Sequence, residues 1–121
     1  MIFVFLEDGT MDVVENLAEA QRAYEGVDVE GGVFVFYNDR GVYLEPRFTV
    51  PNRYGKFLWL FDWSSSGVYE LVPNPGAPED PIWLALFETH SLNPNRFFKT
   101  LDEVKACLKS NGAVVDRPVE K

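Results

Sequence analysis

Residues 2–14 read Ile-Phe-Val-Phe-Leu-Glu-Asp-Gly-Thr-Met-Asp-Val-Val. Asp8-Gly9 stands between two apolar runs, which is the sequence signature of a tight β-hairpin. The first run, 2–6, contains no polar residue. A strand with one wet face would alternate, so this one predicts a strand covered on both faces. Two further runs behave alike: Val33-Phe34-Val35-Phe36-Tyr37, and Phe57-Leu58-Trp59-Leu60-Phe61-Asp62-Trp63, which carries six large apolar side chains in seven. Read as a strand, the third run puts Trp59 in the core. Three such runs require a sheet covered by helices, by its own curling or by a second subunit.

Working outward, Asn16 with Glu19 three positions on predicts a helix start. Leu17, Ala20 and Tyr24 give it an apolar stripe, and it should end near Gly26. Asn38-Asp39-Arg40-Gly41 predicts a second turn, repeating the pattern of three apolar residues and a turn seen at 3–10. Val42 to Val50 then alternates with period two, one face wet. Pro46 cannot donate to a ladder, so this strand should lie at a sheet edge or carry a bulge. Pro51 to Gly55 reads as a turn and Val68–Val72 as a strand. Residues 73–81 hold four prolines and read as a loop. Ile82 to Phe87 is apolar throughout and reads as a strand; Asp80-Pro81 would equally serve as N-cap and first position of a helix. Thr100-Leu101-Asp102-Glu103 is a capping box, and a helix from there runs to Asn111-Gly112.

The expected fold is therefore a single α+β domain over residues 1–112. It has a curved antiparallel sheet of about five to seven strands, a short helix after the first hairpin and a C-terminal helix. Residues 113–121 are a tail or a short final strand. A small, Sm-like, partly open barrel is the main variant.

Composition narrows the chemistry. The 121 residues are 46% hydrophobic and 15% aromatic, enough for one core without staples. Cys107 is the single cysteine, which rules out an intrachain disulfide and favours a reducing, cytoplasmic setting. The run at 2–6 is too short for a signal peptide and is followed at once by Glu7-Asp8. No run approaches the length of a membrane span. His90 is the single histidine. A zinc site needs three or four nitrogen or sulfur ligands, and a triad or Cys–His dyad would have to use His90. Cys107, on the apolar side of the last helix, reads as an inert buried thiol. Ser64-Ser65-Ser66-Gly67 lacks the spacing of a phosphate loop. No catalytic, metal or cofactor site is expected.

The net charge of −8 is unevenly placed. Residues 1–39 hold nine acids and one base, Arg22, whereas the rest of the chain is balanced. Charge asymmetry bears on partners and solubility rather than fold. It points to a non-catalytic protein-binding domain, of immunity or adaptor type, whose Glu15, Glu19, Glu25, Asp28 and Glu30 face a basic partner. A homodimer is an alternative way to cover the apolar strands. Between 40 and 59, Arg40, Arg47, Arg53 and Lys56 are interleaved with aromatics including Tyr54. That mixture is how single strands of nucleic acid are held, giving a small-barrel nucleic-acid binder as a second reading. The overall negative charge opposes it. A small-ligand carrier with an aromatic-lined sheet is the third.

Overall fold

Ile2–Leu6 (β1) and Thr10–Val14 (β2) form the expected hairpin, in register from Ile2↔Val14 to Phe5↔Met11. Asp8 shapes the turn by accepting from the Thr10 amide and hydroxyl. Gly9 supplies the left-handed position, φ +86°. The computed structural model describes residues 1–57, 61–77 and 79–118.

The remaining elements are α1 (Leu17–Ala23), α2 (Gly26–Glu30), β3 (Phe34–Asn38), β4 (Tyr43–Val50), β5 (Arg53–Phe57), β6 (Phe61–Ser65), β7 (Val68–Pro73), α3 (Ile82–Glu88), β8 (Ser91–Leu92) and α4 (Leu101–Ser110). Six strands form one sheet in the order β7-β4-β3-β1-β2-β8, and β5 and β6 form a separate hairpin. All pairings are antiparallel except β2 with β8. The fold is thus α+β with a mostly antiparallel sheet.

β1 lies between β2 and β3 and is covered on both faces, which explains its unbroken apolar run. On one face Phe3, Phe5, Met11, Val13 and Tyr37 pack under Ile82 and Leu86 of α3 and Val104 and Leu108 of α4. On the other, Ile2, Val4, Val14, Phe36 and Leu44 pack under Ala20 of α1, Tyr24 and Val29 of α2. Phe3 and Val4 are adjacent in sequence, sit on opposite faces and are both fully buried. β3 is built the same way, with Phe36 and Tyr37.

Two caps do what their sequences predict. Asn16 Oδ1 accepts from the Glu19 amide at 3.0 Å, and Thr100 Oγ1 from the Glu103 amide at 3.2 Å. Tyr69 ties α1 to the sheet. Its buried hydroxyl points at the carbonyls of Ala20 and Tyr24, 3.0 Å from each, at the C-terminal end of that helix. Burial pushes its phenol up to about 12.

Several expectations are corrected. The sheet does not close: β7 and β8 are separate edges, so no small barrel forms. Helices cover both faces, and curling is not needed to hide them. Ile82 to Phe87 is helix, not strand: Pro81 is its N-cap and Ile82 and Leu86 point into the core four residues apart. The run 57–63 is not one strand. Phe57 ends β5 and pairs antiparallel with Phe61, which begins β6. Trp59 lies outside the described residues. Arg53 to Gly55 belong to β5 rather than to a turn. Residues 113–118 form no strand, although Val115 is buried in the core beneath α3 and α4. β4 is not at an edge but internal, between β3 and β7, and its register with β7 shifts only beyond Pro46, between Phe48 and Val50.

The β7 edge is protected. Gln21 Nε2 donates to the Tyr69 carbonyl at 2.6 Å, on the side of β7 turned away from β4, and Pro73 closes the strand without an N–H. That blunts strand-to-strand pairing of two copies there.

Candidate functional site

The acids of the first third do not form one free surface. Arg96, 77 residues beyond Glu19, folds back between two of them: its guanidinium lies 2.7 Å from Glu15 and 2.9 Å from Glu19. The Arg96 hydrogen bond holds the Glu19 carboxyl below its ordinary range, and the arginine is raised in turn. Glu30 is also engaged, accepting from Asn52 Nδ2 and the Tyr54 hydroxyl, both at 3.1 Å. Glu25 is the N-cap of α2, and Asp28 is exposed in its first turn.

Of the basic candidates, Arg40 and Arg53 stand at opposite ends of β4. Arg40 is in the turn before β4 and Arg53 begins β5 beyond it. The eight residues of β4 between them span about 26 Å. Arg47 is paired with Glu45 at 2.9 Å and stands opposite Glu70 of β7. Tyr54 is exposed and bound to Glu30. The side chain of Lys56 lies outside the described residues. The aromatic faces of β1 and β3 are occupied by the two cores.

Sequence reading missed a different concentration of acid. Three concavities of about 260, 320 and 520 Å³ adjoin one another around Glu79, which lines all three. The first lies between β1, β3 and α3, with Phe5, Val35 and Ala85 as its floor and Glu7, Glu88 and Asp80 around it. The second runs past Tyr37 and Tyr43 to the loop of residues 74–81. The third opens between β3 and β4 and is lined by Glu30 and Glu45. Among the described residues no Lys or Arg lines any of them. The negative field reaches the floor: Tyr37 and Tyr43 are both raised, by burial first and then by Glu79, with Asp80 and Glu45 adding to it respectively. Tyr37 is fixed there because its hydroxyl donates to the Asp80 carbonyl at 2.6 Å, which also anchors the loop.

These carboxylates are dispersed. Among the described residues no three His, Cys, Asp or Glu side chains are grouped to hold a metal ion. No buried side-chain polar atom among them lacks a hydrogen-bond partner. His90 packs its ring on Gly9, with Nε2 3.1 Å from the Asp8 carbonyl. Cys107 is half-buried rather than buried, and Asn111 Nδ2 is 3.9 Å from its sulfur. Among the described residues no helix is long and apolar enough to cross a membrane. Comparison with protein-family models, curated proteins and solved structures gives no match.

The missed signal was Glu79-Asp80 inside a proline-rich loop. Composition assigns such a loop no position, and it is the Tyr37 hydrogen bond that brings it over the sheet.

Proposed function

We propose that the protein is a non-catalytic domain that binds a protein partner through that partner's basic surface. The observation that carries this reading is the groove system around Glu79, whose apolar floor is rimmed by carboxylates and by no cation among the described residues. An apolar floor rewards desolvation, while the acidic rim steers a positive surface and selects against negative ones. The acids that matter most are then Glu7, Glu79, Asp80 and Glu88; Glu45 contributes less, because Arg47 is paired with it at 2.9 Å. Glu15 and Glu19 contribute less, because Arg96 already offsets them.

The test uses a fluorescent peptide of Lys and Arg spaced by Ser and Gly, with its Glu-substituted counterpart as control. Association is measured across a salt series. Salt should slow it, since exposed charges are screened over about 8 Å at physiological ionic strength. Glu79→Lys with Glu88→Lys should slow it about tenfold or more. The pair Glu15→Lys and Glu19→Lys should do less. A rate indifferent to salt and to Glu79→Lys defeats the reading.

A further inference from the structure

The groove beside β4 exists because one ladder stops early. β4 and β7 share six registered pairs, but β3 and β4 share two, Phe36↔Leu44 and Tyr37↔Tyr43. The Asn74 amide donates to the Tyr43 carbonyl, so the backbone of Tyr43 and Glu45 faces β7. Leu44 and Pro46 therefore face β3. Pro46 stands where the next bond, to the carbonyl of Phe34, would need an N–H, and it has none. Beyond this point no further β3–β4 pair is registered, and a space of about 520 Å³ is lined by Phe34 and Val35 of β3 and by Glu45, Pro46 and Phe48 of β4.

Strand alternation gives that space two unlike sides. Glu79 and Glu45, the latter also paired with Arg47, stand on the side of α3; Val29, Phe34 and Phe48 stand on the side of α2, together with Glu30, which Asn52 and Tyr54 engage. By the same alternation the backbone N–H and C=O of Phe34 face into it.

We propose that an extended segment of the basic partner lies in this groove as an added strand against β3. Its Lys or Arg residues fall at alternate positions toward Glu45 and Glu79, and the apolar residues between them fall toward Val29, Phe34 and Phe48. Main-chain bonds to Phe34 hold the segment, and the alternating side chains select it. This rests on the reading of a basic partner. A second copy of the chain does not fit: no two of its 11 Lys and Arg residues stand two positions apart, so no segment of it offers bases at successive alternate positions.

The probe is a capped octapeptide alternating Lys with Val. It is compared with an isomer that blocks the four Lys and four Val separately, and with two forms N-methylated on one or the other set of alternate amides. The alternating peptide should bind at least about tenfold more tightly than the block isomer. One methylated form should lose that binding and the other keep it. Pro46→Val restores the missing donor without changing charge. It should add a protected amide at position 46 in hydrogen exchange and weaken the alternating peptide about tenfold. Glu45→Gln with Glu79→Gln leaves the backbone intact and should remove the preference for Lys over Ser at the alternate positions. Equal, salt-sensitive binding of the alternating and block peptides overturns the added strand and leaves the basic-partner reading standing. So does equal binding of the two methylated forms. Undiminished binding to a Pro46→Val protein that has gained the protected amide also overturns it. Failure of every Lys peptide to bind overturns both readings.

Discussion

Replacing Tyr69 by Phe removes one oxygen from a well-filled site. The ring is 2% exposed and packs against Phe36 and Phe48 at centroid separations of 6.3 and 5.8 Å, contacts that Phe retains. What is lost is the hydroxyl between the carbonyls of Ala20 and Tyr24. The Ala20 carbonyl keeps a partner, the Tyr24 amide at 2.8 Å, whereas the Tyr24 carbonyl depends on the phenol. Loss of a buried hydrogen bond with one acceptor left unmatched costs about 1–3 kcal/mol. In a domain of this size that lowers the melting temperature by about 3–6 °C per kcal/mol. The same phenol gives a signature in pH. Its folded value is raised to about 12 from 10.0, so the folded state keeps a proton that the unfolded chain releases. This contribution is complete below pH 10 and is lost as pH rises toward 12. The loss is at most about 1.4 kcal/mol per pH unit for each such group. Urea unfolding of both proteins at pH 7, 10 and 11 measures both effects. The variant should be weaker at pH 7 and decline less steeply above pH 10. Equal midpoints at pH 7 with parallel alkaline decline would refute the assignment of the hydroxyl as the α1 tether.

Leu86→Ala in α3 should destabilise the protein by about 2–5 kcal/mol in denaturant unfolding, because the side chain is 3% exposed and leaves a cavity. Were 82–88 a surface strand instead, the loss would be far smaller. Gly9→Ala should shift the His90 ring and destabilise. The residue sits at φ +86°, and an added Cβ would come 2.6 Å from His90 Cδ2. The His90 side-chain resonances report the shift, and an unperturbed spectrum would contradict the packing.

The parts of the fold legible in the sequence were those where one residue type has one physical use. Asp8-Gly9 specified a hairpin, Asn16 and Thr100 specified caps, and the runs at 2–6 and 33–37 specified strands covered twice. The failures share a cause: uninterrupted apolar sequence carries no phase. In 82–87 every residue is apolar, so the four-residue spacing of Ile82 and Leu86 does not stand out. In 57–63 no Gly, Pro or Asn separates Phe57, which ends β5, from Phe61, which begins β6. Pro46 was recognised as a ladder breaker, but whether a proline breaks an outer edge or an inner seam depends on which strand lies beside it. Of the candidate site, the excess of acid was visible, but its placement was not. Arg96 pairs with Glu15 and Glu19 across 81 and 77 residues and offsets part of their charge, and Glu79 reaches the sheet through a loop held by Tyr37.

The double cover of β1 also sets an order in time. Synthesis delivers α1 and α2 directly after the first hairpin, so one face of the sheet can begin to close by Glu30. The helices for the other face occupy 82–88 and 101–110. Until they leave the ribosome, Phe3, Phe5, Met11, Val13 and Tyr37 present an apolar strip on a nascent chain in which every strand but β8 precedes them. Such a strip invites chaperones and neighbouring chains alike. The segment 82–110 is therefore what turns a sticky half-structure into a closed fold.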